Sequence, residues 1–421
     1  MTLLNAGRWE LTPGETRLYN ENFYAGGNRC TSQSGTVFDS ASAVMACDTT
    51  VTSAAAAYLF YSDDKDELFW HFKFQFDAAP DAASLDYWVF GFGYGFASVQ
   101  GLYLVLHSDD AVNTTLQLQI GGSQSFILHD GQALSAATSY RFEVRMKNLS
   151  PGDATGIWLY QVKLDSALLW TGFVRNSEIG TGAYITAWRF GRDTAGTAIG
   201  TIGYHTAFTV NDTAGSVNNK WPGTVTFNSL TPDAAGSNLA YTAWTNTFTA
   251  VDESPTASDQ IFTTVAGNKE AWTLSTATVS GIRAVVYAWD AATVRVAGAA
   301  PSVTVGNKLL VWDGAEFASV EFTFESGLQF TSAASVTHAY GVKGMCYIME
   351  TQPSDASAWD QTTIDALESG ISSITHSDAN WRNITYAHRM YVITGAEGPE
   401  ADDIRPLGAT YFFQPGVTTV V

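Results

Sequence analysis

The chain has 421 residues, of which 46% are hydrophobic, 13% aromatic and only 15% charged, with a formal net charge of −20. That is ample apolar material for two or three packed domains and too little charge for an intrinsically disordered chain. The acidic balance argues against a nucleic-acid binder, which needs Lys and Arg clusters against phosphate, and against charge-driven docking on an anionic membrane.

Residues 1–16 lack a basic segment followed by an apolar one, so no classical secretory signal is expected, and they read as an N-terminal arm. No run of about 18 apolar residues occurs, so no membrane insertion is expected. Cys30, Cys47 and Cys346 make an odd count without metal-ligand spacing and read as free thiols, although Cys30 and Cys47 could pair in an oxidising medium.

Strand signals dominate from there on. Leu68, Trp70, Phe72, Phe74 and Phe76 alternate with Phe69, His71, Lys73 and Gln75, the period of two that a half-buried strand requires. The same alternation recurs at Leu102, Leu104 and Leu106, at Leu116, Leu118 and Ile120, at Tyr140, Phe142, Val144 and Met146, and at Trp158, Tyr160, Val162 and Leu164. Gly, Asn, Asp and Ser clusters separate these runs and supply turn chemistry. Many strands without intervening helices predict an antiparallel sandwich. The glycine-interspersed stretch 87–99 is apolar on both parities and reads as a strand buried on both faces or covered by a neighbouring subunit.

A small, polar run at 211–219 reads as a linker and places a first domain over 17–213, a linker over 214–223 and a second domain over 224–376. In the second domain, Asp360 reads as a helix N-cap and Gly370 as the residue closing that helix, with Ile364, Leu367 and Ile371 on one face. Residues 377–421 read as a strand pattern followed by a Pro/Gly-punctuated arm. The expected fold class is all-β: a jelly-roll sandwich followed by a second β-sandwich with one short helix.

Chemistry is sparse in this sequence. Sandwich glucanases carry their carboxylates at alternate positions of one strand, and that pattern is absent; the nearest acidic cluster, Asp63-Asp64-Lys65-Asp66-Glu67, reads as a solvated turn. That cluster or Asp109-Asp110 offers oxygen ligands to calcium, without supporting spacing. His71, His107, His129, His205, His338, His376 and His388 form no metal motif; His129-Asp130-Gly131 reads as a turn and His205 as a core or edge histidine. Four glycosylation sequons, at Asn113, Asn148, Asn211 and Asn383, read as chance matches, and Trp158, Trp170 and Trp188 as core residues before sugar-stacking ones. No catalytic, cofactor-binding or metal-binding residue is assigned.

At residues 190–223, a final strand ends in Asn211, Asp212, Gly215 and Ser216, and Trp221-Pro222-Gly223 hands over to the second domain. This resembles the end of the concanavalin A-like (LamG-type) jelly-roll domains of tailed-bacteriophage structural proteins. The second half resembles the partner domain of the same proteins. It does so through Pro232-Asp233-Ala234-Ala235-Gly236, Trp244 and Val251-Asp252-Glu253, and above all through Glu350-Thr351-Gln352-Pro353 with Trp359 and the short helix. The resemblance implies a non-enzymatic virion protein, made in the host cytoplasm, on a tail or capsid surface. It implies other virion proteins as partners, a homo-oligomeric state and attachment to a host-surface glycan; the alternative reading is a carbohydrate-binding module. The C-terminal arm departs from the family pattern.

Overall fold

The computed structural model describes residues 3–7, 21–22, 30–32, 36–39, 44–48, 55–81, 87–93, 101–110, 112–121, 126–150, 156–179, 185–192, 200–213, 220–243, 249, 251, 261–265, 267–295, 305–312, 316–324, 338–373, 381–396 and 398. Nearly all of them are extended. The chain begins with β1 (Leu3–Gly7), β2 (Glu21–Asn22), β3 (Cys30–Ser32), β4 (Thr36–Asp39), β5 (Val44–Asp48), β6 (Ala55–Lys65), β7 (Glu67–Phe76) and β8 (Tyr87–Gly93). It continues through β9 (Gly101–His107), β10 (Thr114–Gly121), β11 (Phe126–Leu134), β12 (Tyr140–Asn148), β13 (Ile157–Leu164) and β14 (Ala167–Arg175). A helical turn, α1 (Asn176–Ile179), leads to β15 (Ile185–Arg192) and β16 (Ile202–Asp212). The second half holds β17 (Thr226–Leu230), β18 (Pro232–Leu239), β19 (Thr242–Ala243), β20 (Ile261–Thr263), β21 (Lys269–Leu274) and β22 (Ile282–Arg295). It ends with β23 (Val305–Trp312), β24 (Glu316–Phe324), β25 (His338–Met349), α2 (Gln361–Asp365), β26 (Glu368–Ser373) and β27 (Trp381–Thr394).

The first half folds as an antiparallel jelly-roll sandwich. One sheet runs β14-β13-β12-β7-β16-β5-β4, with β1 also paired to β16, and the facing sheet runs β11-β10-β9-β8-β15-β6-β3. The alternation along β7 sends Leu68, Trp70, Phe72, Phe74 and Phe76 into the space between them. Phe72 lies 5.0 Å from Phe90, 5.3 Å from Phe142 and 5.1 Å from Phe190, ring centroid to ring centroid. Each fully buried aromatic of this kind contributes roughly 1.5–3 kcal/mol. The mixed parity at the start of the 87–99 stretch has a local cause: the β8–β9 register shifts between Trp88 and Phe90, which brings Tyr87, Val89 and Phe90 all into the core. Residues 94–99 lie outside the described residues.

The second half forms two further sheets, β19-β20-β27-β22-β25-β2 with β17 on β27, and β18-β21-β26-β23-β24. Trp272, Tyr287, Trp359, Ile364, Leu367 and Ile371 pack in the core between them. The N-terminal stretch is divided between the halves. β1 pairs with Phe208–Asn211 of β16, whereas β2 adds in parallel to Met345 and Cys346 of β25.

Two local expectations are corrected. The helix around Asp360 is capped as expected, with the Asp360 carboxylate accepting the Thr363 N–H at 2.8 Å, but α2 ends at Asp365. Gly370 and Ile371 belong to strand β26. Gly370 is needed there for close approach: a Cβ on it would stand 1.9 Å from the Glu270 carbonyl oxygen. His129-Asp130-Gly131 is not a turn but part of β11, where bulges against β10 and a φ of +97° at Gly131 absorb the turn-like residues.

Candidate functional site

The outward face of the first sheet carries His71 and Lys73 on β7, Arg141, Glu143, Arg145 and Lys147 on β12, and Gln161 and Lys163 on β13. A charged sheet face is ordinarily wet, yet His71, Glu143, Arg145 and Gln161 are all buried. The linker packs against this face. Trp221 packs edge-on against Phe69, with ring centroids 5.5 Å apart, and the Lys163 ammonium lies 3.7 Å from the Trp221 ring centroid. The Gly223 N–H donates to the Glu143 carboxylate at 2.7 Å, and the Arg141 guanidinium donates to the Thr224 hydroxyl at 3.2 Å. From the second sandwich, Arg283 donates to the Pro222 carbonyl.

A bulge completes this joint. The β16–β7 register shifts between Thr206 and Thr209, and Ala207 adopts φ +52°. Ala207, in the bulge of β16, thereby joins the apolar cluster of Val225, Phe227, Ala284, Val286, Ile348, Tyr391 and Ile393 instead of the first core. Beyond β27 the chain returns to the linker, where the Gly398 N–H donates to the Trp221 carbonyl at 2.9 Å. Nearby, Arg145 is held on both sides: its Nε donates to Glu67 at 2.6 Å and its Nη1 to Gln161 at 2.8 Å. Glu67, expected in a solvated acidic turn, is therefore an ion-pair partner. Asp66 is exposed, and the side chains of Asp63, Asp64 and Lys65 lie outside the described residues.

A second cluster sits where the sandwich opens to one side. The two sheets end there on β11 and β14, whose Phe126, Ile127 and Leu168 are exposed. His129 of β11 stacks on Trp170 of β14, with centroids 5.3 Å apart and planes 7° apart. Its Nε2 lies 2.9 Å from the Tyr160 hydroxyl of β13, so one imidazole bridges both sheets. Gly172 makes room: a Cβ there would stand 2.3 Å from the Tyr160 oxygen. Burial pushes the His129 pKa down and the Tyr160 pKa up, which keeps this hydrogen-bonded pair neutral at neutral pH.

The remaining candidates are internal. His205 lies in the first core, against Phe74 and Phe190, with its Nε2 3.2 Å from the Tyr87 hydroxyl. His388 and Ser369 meet at 2.5 Å in the second core, between Tyr287 and Trp272. Such a pair resembles a base and its nucleophile, but both are 0% exposed, so no substrate can reach the hydroxyl. Burial lowers the pKa of His71, His205 and His388 to about 3. The Tyr287 hydroxyl donates to the Gly370 carbonyl at 2.6 Å, and Glu270 accepts the Tyr241 N–H at 2.8 Å.

The Asp109-Asp110 loop closes on itself. Asp110 accepts the Val112 and Asn113 N–H groups at 2.9 and 2.7 Å and the Asn113 amide at 2.6 Å, and Asp109 contacts His107 at 3.0 Å. These bonds hold the Asp110 carboxyl below its usual range. Among the described residues no group of three or more His, Cys, Asp or Glu side chains is placed to hold a metal ion. Of the sequons, Asn148 and Asn211 are buried and Asn113 is exposed but tied to Asp110. Trp158 is buried and Trp170 half-buried. The side chains of Trp188, His338 and Asn383 and those of the cysteines lie outside the described residues, as do His376 and residues 399–421 of the C-terminal arm. Sequence reasoning missed the joint and the His129 bridge; the signals were the charges on the outward positions of β7, β12 and β13, and Gly172 within an otherwise bulky strand.

No protein-family model matches the chain, and no curated protein matches it. Among solved structures, the chain is similar to an alginate lyase, Aly36B, in complex with alginate trisaccharide (12% identity, TM-score 0.34, covering 50% of this chain and 97% of the lyase). It is also similar to the metal-free carbohydrate recognition domain of Emp46p (9% identity, TM-score 0.31, 49% and 98% coverage). A third is the exoplasmic/lumenal domain of VIP36 bound to Ca2+ and Man3GlcNAc (10% identity, TM-score 0.28, 44% and 82% coverage).

Proposed function

We propose that this chain is a non-enzymatic structural protein of a tailed-bacteriophage particle, displayed on the tail or capsid surface as a homo-oligomer among other virion proteins. The observation that carries this reading is the joint. The two sandwiches are tied by Trp221, Pro222, Gly223 and Thr224, by an ion and hydrogen-bond set around Glu143, Arg141 and Arg283, and by the apolar seam at Ala207. The ionisable groups described above hold the fold together: the buried histidines are neutral, and Arg145 and Glu143 are tied to fixed partners. The test is density-gradient purification of particles from lysates of cells expressing the chain from its own genome. The reading expects the chain to co-migrate with particles at a fixed stoichiometry, and it fails if the chain stays wholly in the soluble fraction.

A second reading, glycan binding by the jelly roll, is favoured by the open side of the sandwich. There Trp170, His129 and Tyr160 combine aromatic surface with hydrogen-bonding groups beside exposed Phe126, Ile127 and Leu168. Sugar rings are held by that combination of apolar faces and fixed polar groups. A glycan array with the intact chain and with Trp170→Ala tests it. Binding that weakens at least tenfold in the variant supports a glycan site at this edge, and equal binding by both proteins removes it.

A further inference from the structure

The joint contains polar atoms that the protein itself does not satisfy. His71 is completely buried on the outward face of β7, and neither ring nitrogen has a hydrogen-bond partner of good geometry; the nearby Ala207 carbonyl acts on the ring without meeting that geometry. Directly opposite His71 in the sheet are Thr209 of β16 and Glu143 of β12, and Lys73 stands opposite Arg141 one step along the same face. Cross-strand neighbours of this kind hold their Cβ atoms about 4.5–5.5 Å apart. The Thr209 hydroxyl and the Arg141 Nε are also buried without partners. Buried donors do not ordinarily remain unpaired, and a group left so costs about 1–3 kcal/mol.

We propose that the joint encloses a small inorganic oxyanion, sulfate or phosphate, held by the His71 imidazole, the Arg141 Nε–H and the Thr209 hydroxyl. The charges favour an anion over water alone. Arg141, Lys73 and Arg283 all bring positive charge to bear on His71. The Glu143 carboxylate, the one acidic group placed opposite, is turned to the Gly223 N–H. By itself His71 is neutral, since burial first and these cations second drive its pKa down to about 3. A neutral imidazole still donates one N–H, and a bound anion would offset the cationic repulsion around it. The ligand would lie between the sandwiches and stabilise their contact, because it binds only the assembled joint.

The test uses the full chain. Thermal unfolding is followed while sulfate, and separately phosphate, is titrated against chloride at equal ionic strength, for the wild type and for Arg141→Gln and Thr209→Val. The extensively dialysed wild type is also unfolded and its released ions are measured by ion chromatography. The proposal expects either about one sulfate or phosphate released per chain or a saturable rise of several degrees in Tm that both variants lose. Two results overturn it: no released oxyanion together with identical sulfate, phosphate and chloride curves, which assigns these groups to water, or a rise that persists unchanged in both variants. If neither variant folds, the wild-type ion content and titration decide alone.

Discussion

The Lys163 ammonium sits over the Trp221 ring, 3.7 Å from its centroid, and so joins a strand of the first sandwich to the linker of the second. Trp221 also meets Phe69 edge-on and is almost fully buried. Truncating a buried tryptophan costs about 3–5 kcal/mol. Trp221→Ala should therefore lower stability by about that amount and uncouple the halves. Calorimetry checks this: a single transition in the wild type should divide into two in the variant.

Arg145 and Glu67 should be strongly coupled. Removing one member of a buried ion pair costs about 3–5 kcal/mol because its partner is left uncompensated. Arg145 also holds Gln161, and Lys147 stands 3.6 Å from Glu67. A double-mutant cycle of Arg145→Ala and Glu67→Ala, read by urea unfolding, should give a double variant much less destabilised than the sum of the singles.

Acid should unfold the protein through its histidines. His71, His205 and His388 have folded pKa values of about 3, below the 6.5 of a free imidazole. The unfolded chain thus binds more protons between these values. The stability linked to this difference is fully present above about pH 6.5 and is lost as pH falls toward 3. Urea midpoints across that window should fall with an uptake of about three protons from these groups, and His205→Phe should remove about one of them.

Gly370 should tolerate no side chain. The atom a Cβ would strike is the Glu270 backbone oxygen, 1.9 Å away, which cannot swing aside. Gly370→Ala should break the β21–β26 pairing and leave the chain insoluble. At Gly267, where nothing lies within 4 Å but φ is +80°, alanine should cost only about 1–2 kcal/mol of backbone strain. Soluble yield and thermal midpoints of the two variants make the comparison.

Much of the fold was legible in the sequence because strand alternation reports directly on which face is buried. Leu68 to Phe76 and Phe142 to Met146 declared the first core, and Asp360 declared the start of α2. The errors arose where tertiary contact overrides local preference. Gly370 looks like a helix terminator until the Glu270 carbonyl is seen beside it, and Gly131 looks like a turn until β10 pairs across it. The joint was hidden for a related reason. The outward charges of β7, β12 and β13 carry no local sign of burial, and the Trp221 linker that packs on this face and the Arg283 that holds it come from more distant sequence. The His129 bridge likewise depends on three strands from two sheets, which no local pattern expresses.

The most direct test of the structural reading is immunogold labelling of intact purified particles with an antibody against the recombinant chain. The account predicts gold at a defined position, on the tail or over the head, at regular copy number. Particles that carry no gold, with an antibody that recognises the folded protein in solution, would contradict a role at the particle surface.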